Sequence, residues 1–198
     1  KGEQALMLTT ITFILLFSEI VSGSSIVYLA PKHDFSKLVL PSYLWSILVG
    51  LVSAAVIPLF YHDMSAFIVL NVGVLSIFAS LSGVNTSILI GRERVPAANY
   101  VNLWQPVAIL ITLCICYFCF DMLNITAYII ALYVAYGGSW LLGGILLHKD
   151  FRYFRFFSFS EYKNVLKDLF KYGFLNQTGH FVQFFNLRLS YYLLNTYY

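Results

Sequence analysis

The stretch His148–Lys171 reads HKDFRYFRFFSFSEYKNVLKDLFK and holds six of the chain's twelve Lys and Arg residues. Nearly continuous apolar sequence precedes it. A different apolar segment follows, studded with Asn, Gln, His and Arg. Lys and Arg in short loops mark the cytoplasmic side of a membrane, and aromatic rings favour the headgroup layer. The stretch therefore reads as a cytoplasmic connector between two units, and it orients every span on either side.

Composition agrees. The 198 residues are 60% hydrophobic and 11% charged, against about 25% charged in a soluble domain. A membrane helix needs roughly 20 mostly apolar residues, so the chain has room for about six. The expected fold is all-α, a polytopic membrane helix bundle. A net charge of +3 is no footprint for nucleic acid. The chain opens at Lys1 and stops at Tyr198 inside an aromatic run, and is expected to be a piece of a longer membrane protein.

Five spans are expected before the connector: 5–30, 38–60, 66–90, 100–120 and 125–147. Glu19 lies in the first, followed by the run Ser22–Gly23–Ser24–Ser25, which can loosen or bend a membrane helix. The loops 31–37, 92–99 and 148–171 hold ten of the twelve Lys and Arg, whereas 61–65 and 121–124 hold none. That alternation puts Pro31 and the connector inside. Within the connector, Ser158 and Glu161 have capping-box spacing. Tyr162, Val165, Leu166, Leu169 and Phe170 then form an amphipathic stripe expected to lie toward the membrane interface, leaving Lys163 and Lys167 to water or lipid phosphate.

Residues 172–198 are expected to form a sixth span of unusual polarity. On a helical wheel Gln177, Arg188 and Asn195 fall within about 20° of one another, with His180 some 60° away. Such a helix should line a hydrated cavity or be wrapped by neighbours. Arg188 reads either as an anion contact, since a guanidinium fork suits phosphate, or as a side chain reaching the outer interface. Glu19 reads as a proton or cation group, or as a neutral acid bonded between helices. His180, Gln177, Gln183, Asn176 and Asn186 could meet a sugar or simply join helices. Asn85, Asn102 and Gln105 carry the same two readings.

Enzyme signatures are absent: no GxSxG, P-loop, HExxH or paired-Cys motif occurs. His62, Asp63 and Asp121 are isolated loop residues. Cys114, Cys116 and Cys119 sit in apolar sequence and read as small buried or lipid-facing side chains. No catalytic residue, metal site or cofactor is expected.

KGEQALMLTT at 1–10, SGSSIVYLAPK at 22–32, GRERVPAANYVNLWQP at 91–106 and KYGFLNQTGHFVQFFNLRLSYYLLN at 171–195 together resemble polysaccharide flippases of the Wzx type. These belong to the multidrug/oligosaccharidyl-lipid/polysaccharide exporter superfamily. The resemblance implies two pseudo-symmetric lobes of six helices. Residues 1–147 would then be five helices of the first lobe, and 172–198 the cavity-facing first helix of the second. It further implies a multi-pass protein of the bacterial inner membrane that moves a polyprenyl-pyrophosphate-linked oligosaccharide between leaflets, coupled to protons or sodium. Membrane lipids and the lipid-linked oligosaccharide would be its partners, and Arg188 a candidate pyrophosphate contact. The competing expectations are a small-molecule exporter of the same superfamily, a membrane-embedded glycan polymerase or ligase, and a structural subunit. Outer loops of four or five residues leave little room for an enzyme's catalytic loop.

Overall fold

The computed structural model describes residues 2–60, 65–122 and 124–197, with side chains over 7–59, 65–122 and 124–186. Among these residues the chain is all helix, joined by short turns. In order they are α1 (Gly2–Ser22), α2 (Ser24–Leu29), α3 (Phe35–Phe60), α4 (Ala66–Gly91), α5 (Val95–Phe120), α6 (Ile125–Leu146), α7 (His148–Arg152) and α8 (Phe159–Tyr197). Five spans are long and apolar enough to cross a membrane: Met7–Leu29, Phe35–Leu59, Ala66–Gly91, Val95–Phe120 and Ile125–Leu146. The protein is a polytopic membrane helix bundle. The remaining expected span, 172–198, is helical over its described residues but is not among these five.

The span boundaries follow local chemistry. The side chain of Ser65 caps α4 by accepting from the Ile68 amide, and Asn124 caps α6 by accepting from the Ala127 amide at 3.0 Å. Pro96 sits in the first turn of α5, where its missing N–H leaves no gap in the ladder. This helix starts five residues earlier than the apolar pattern suggests. The first span is two helices, because Gly23 leaves helical geometry at ψ −130. The Ser25 hydroxyl donates to the carbonyls of Ile20 at 3.3 Å and Val21 at 3.2 Å. A break inside hydrocarbon needs substitute donors for carbonyls that lose their amides, and Ser25 is one.

The core of the bundle is α4, which α1, α3 and α6 pack against, with α5 outside α6. Small residues set the spacing. On α3, Ser42, Ser46, Gly50 and Ala54 recur every fourth position. A methyl group on Gly73 of α4 would sit 2.8 Å from the Ala54 side chain, and one on Gly50 would strike Ile77. Ser18, Ser46 and Ser80 join α1, α3 and α4 through their hydroxyls, with Ser80 donating to Ser46 at 2.7 Å. Such close approach through small and hydroxyl-bearing residues is how membrane helices associate. Asn71 and Asn85 serve the same end: Tyr133 donates to Asn71 at 2.9 Å and Tyr43 to Asn85 at 2.7 Å. Large aliphatic and aromatic side chains cover the outward faces, among them Leu51 and Leu59 of α3 and Leu110 and Phe118 of α5.

All three basic segments meet at one end of the bundle. Asp150, whose side chain is 8% exposed, accepts from Arg92 and, at 2.8 Å, from Arg94. The Phe35 and Phe151 rings stack edge to face at 4.8 Å, and the Arg155 amide donates to the Ser36 hydroxyl at 2.9 Å. Lys37 pairs with Glu161 at 2.8 Å. Glu161 also accepts from the Ser158 amide at 3.1 Å, which is the returning half of the expected capping box.

Two expectations for the C-terminal region are corrected. The amphipathic segment and the expected sixth span are one helix, because nothing across Lys171–Tyr172–Gly173 stops it. At 1.5 Å per residue its 39 residues extend about 58 Å. The apolar stripe also faces protein rather than the membrane interface. Val165 and Leu169 are buried, and Leu166 and Phe170 pack beside them, against a cluster that includes Ile20, Val21, Ile26 and Leu29. Periodicity identifies the apolar face but not what covers it. Lys163 and Lys167 are exposed, as expected.

Gly173 marks the closest crossing of α8 over α1: a methyl group there would overlap the Ile20 carbonyl. Gly173→Ala should therefore force the helices apart and cost about 1–3 kcal/mol of stability, despite alanine's better helix propensity. Thermal unfolding in detergent checks this, with Gly179→Ala as control, since a methyl at Gly179 meets nothing within 4 Å. The Lys37 ammonium and the Ser158 amide hold the Glu161 carboxyl below the ordinary carboxylate range. A value lower in the folded chain than in the unfolded one gives stability that is full above about pH 4 and fades as pH falls through the folded value. The difference in melting temperature between wild type and Glu161→Gln should accordingly be present at neutral pH and vanish on acidification.

Candidate functional site

A half-open cleft of about 280 Å³ lies between α1, α4 and α5, with Tyr136 of α6 also in its lining. Its walls are unusually polar for a membrane protein. Helix α1 contributes Leu15, Glu19 and Ser22; α5 contributes Asn102 and Gln105. Helix α4 contributes Ala79, Ser80, Ser82, Gly83, Thr86 and Ser87. This dense run of small and hydroxyl side chains exists because α4 lies at the centre of the bundle, where bulk is excluded on several sides. One consequence is open space: a methyl group on Gly83 would meet nothing within 4 Å. The Ser82 hydroxyl is buried in the wall with no hydrogen-bond partner among the described residues, and buried polar atoms normally have one.

Glu19 supplies a carboxyl group. It lies near the middle of the span Met7–Leu29, is exposed to the cleft, and accepts from the Gln177 amide at 3.2 Å. Gln177 is only 2% exposed. It reaches Glu19 because α8 lies along α1 through side chains spaced three or four residues apart. Phe181 packs on Phe17 at 5.3 Å and Phe184 on Phe13 at 5.7 Å, both of α1, while Phe170 packs on Trp45 of α3 at 4.8 Å. Gly173 and Gln177 fall between these rings. The Gln177 amide gives a carboxylate one donor, so the group keeps capacity for a cation, a proton or a ligand hydroxyl.

The expected polar residues of the last segment therefore divide. Glu19 and Gln177 come together. His180 and Gln183, like Asn176, are exposed on the uncovered side of α8 and do not line the cleft. Arg188 and Asn195 fall where side chains lie outside the described residues. Asn102 and Gln105 do line the cleft, whereas Asn85 is spent on joining helices, donating to the Trp140 carbonyl at 3.2 Å. The α4 wall does not stand out in the sequence as a site, because each Ser or Thr in it also suits plain helix packing. The repeated spacing of Ser80, Gly83 and Ser87, matched to Asn102 and Gln105, was the available signal.

The cleft reaches from mid-membrane toward the basic end, since Thr86 and Ser87 lie near the last turns of α4 and Asn102 near the first turns of α5. Comparison with protein-family models, with curated proteins and with solved structures gives no match.

Solvent access to this cleft can be read chemically. With Cys114, Cys116 and Cys119 replaced by serine, Thr86→Cys and Asn102→Cys should react with a charged, membrane-impermeant thiol reagent applied from the basic-loop side. Leu110→Cys, on the outward face of α5, should not react.

Proposed function

We propose that the chain forms part of a membrane transporter that moves a polyprenyl-pyrophosphate-linked oligosaccharide across the bacterial inner membrane for surface polysaccharide synthesis. The observation that carries this reading is Glu19, a mid-span carboxylate facing a cleft of hydroxyl and amide groups. An ionisable group at that depth is costly by about 2.5–3.5 kcal/mol on insertion scales, and such groups mark substrate and ion pathways. Hydroxyl and amide walls suit a glycan, whose own hydroxyls both donate and accept. The sequence resemblance to polysaccharide flippases supports the cargo, and a cleft opening toward the basic end supports loading from the cytoplasmic leaflet. In this reading Glu19 is also the group through which a proton or sodium gradient acts.

A second reading is favoured by the same carboxylate. With Tyr136 also in its lining, the cleft suits an organic cation, which a small-molecule exporter would carry.

Two variants test the proposal in a strain lacking the native full-length protein. Glu19→Gln preserves size and a polar contact to Gln177, and should slow the appearance of lipid-linked oligosaccharide on the outer leaflet by about tenfold or more, the scale of one lost charged contact. Gly83→Leu fills the cleft and should abolish movement while the protein still inserts and melts normally. Unchanged glycan movement in both variants would sink the proposal. Loss of cationic-dye efflux with glycan movement intact would favour the exporter.

A further inference from the structure

The segment around the α7–α8 junction has a three-residue rhythm, of which only one set of rings is used in packing. Phe151 and Phe154 pack inward against the main core cluster, and Phe157 stacks on Tyr162 at 6.3 Å and lies 4.3 Å beneath the Lys37 ammonium. The alternate set points away from the protein: Tyr153 is 76% exposed, Phe156 82% and Phe159 85%. Arg152 and Arg155, directly before Tyr153 and Phe156, are exposed, and neither guanidinium has a partner among the described residues. The inward set pins this segment against the ends of the spans. Phe35 and Ser36, at the start of α3, hold Phe151 and the Arg155 amide. The outward aromatics therefore stand level with the helix ends, where the headgroup layer of a bilayer lies.

We propose that the segment Arg152–Phe159 is a binding site for anionic phospholipid headgroups. Tyr153, Phe156 and Phe159 enter the acyl boundary, and Arg152 and Arg155 grip the phosphate above them. Three large rings held out in water would be unfavourable, while the interface accepts them. A guanidinium suits a phosphodiester through paired N–H donors. Lys37, Arg92 and Arg94, by contrast, are engaged by carboxylates: Lys37 by Glu161, and the two arginines by the shared Asp150. Arg152 and Arg155, each directly before an exposed ring, have no such carboxylate partner among the described residues.

The test is lipid retention by the full chain in detergent, followed by native mass spectrometry while phosphatidylglycerol or phosphatidylcholine is titrated. Wild type should bind phosphatidylglycerol in clear preference, and an excess of inorganic phosphate should not displace it. Arg152→Gln/Arg155→Gln should weaken phosphatidylglycerol binding about tenfold or more, since each basic residue near an anionic surface contributes on the order of 1 kcal/mol. Its melting temperature without lipid should not change. Tyr153→Ser/Phe156→Ser/Phe159→Ser should weaken both lipids together. Equal affinity of wild type for the two lipids, or unchanged binding in the arginine variant, would overturn the proposal. So would displacement by inorganic phosphate, a lowered melting temperature in lipid-free detergent, or an equal loss from Lys163→Gln/Lys167→Gln, which would trace the effect to overall charge.

Discussion

A carboxyl group midway along an apolar helix has to find polar company, and the arrangement of this chain follows from where Glu19 finds it. One side of the group meets Gln177 of α8; the other meets the cleft. The first contact requires α8 to lie close along α1, which only a glycine at 173 permits, because the Ile20 carbonyl occupies the space a side chain would need. The second requires α4 to present small and hydroxyl residues rather than leucines. One polar group thus ties together a glycine, a buried glutamine and the wall of small residues that central packing already imposes on α4.

The same logic governs the bundle as a whole. Lipid tails are as apolar as leucine side chains, so helices in a membrane gain little from hiding them from one another. What joins α1, α3 and α4 is close approach through Gly50, Gly73 and the Ser18–Ser46–Ser80 cluster, with Asn71 and Asn85 as cross-links. At the basic end, where water returns, charge takes over: Asp150 gathers Arg92 and Arg94, and Glu161 holds Lys37. The cleft lies between these regimes, polar like the end but embedded like the middle.

Much of this was readable from residues alone. Apolar run lengths placed the five spans to within a few residues, and the alternation of basic loops grouped three segments that do meet at one end. The serine-glycine run at 22–25 signalled a weak point, although not that Gly23 would divide the helix outright. What stayed hidden depended on pairing over long separations. Glu19 and Gln177 are 158 residues apart, and no local pattern links them. The stripe of Val165 and Leu169 was visible, but a stripe does not say whether lipid or protein will cover it. Gln177, His180 and Gln183 were all legible as candidates, and the helical wheel gave the angle between the first two. It could not say which angle faces α1, and that made the first buried and the other two exposed.

The continuity of α8 has a mechanical consequence. With no break between Glu161 and Gln177, the helix is a stiff shaft of about 24 Å between those two residues. One end is fastened to the water-facing rim and the other touches the carboxyl deep in the wall. A small swing of the rim end is carried along the shaft instead of being absorbed by a joint, so the rim and the embedded acid move as a pair.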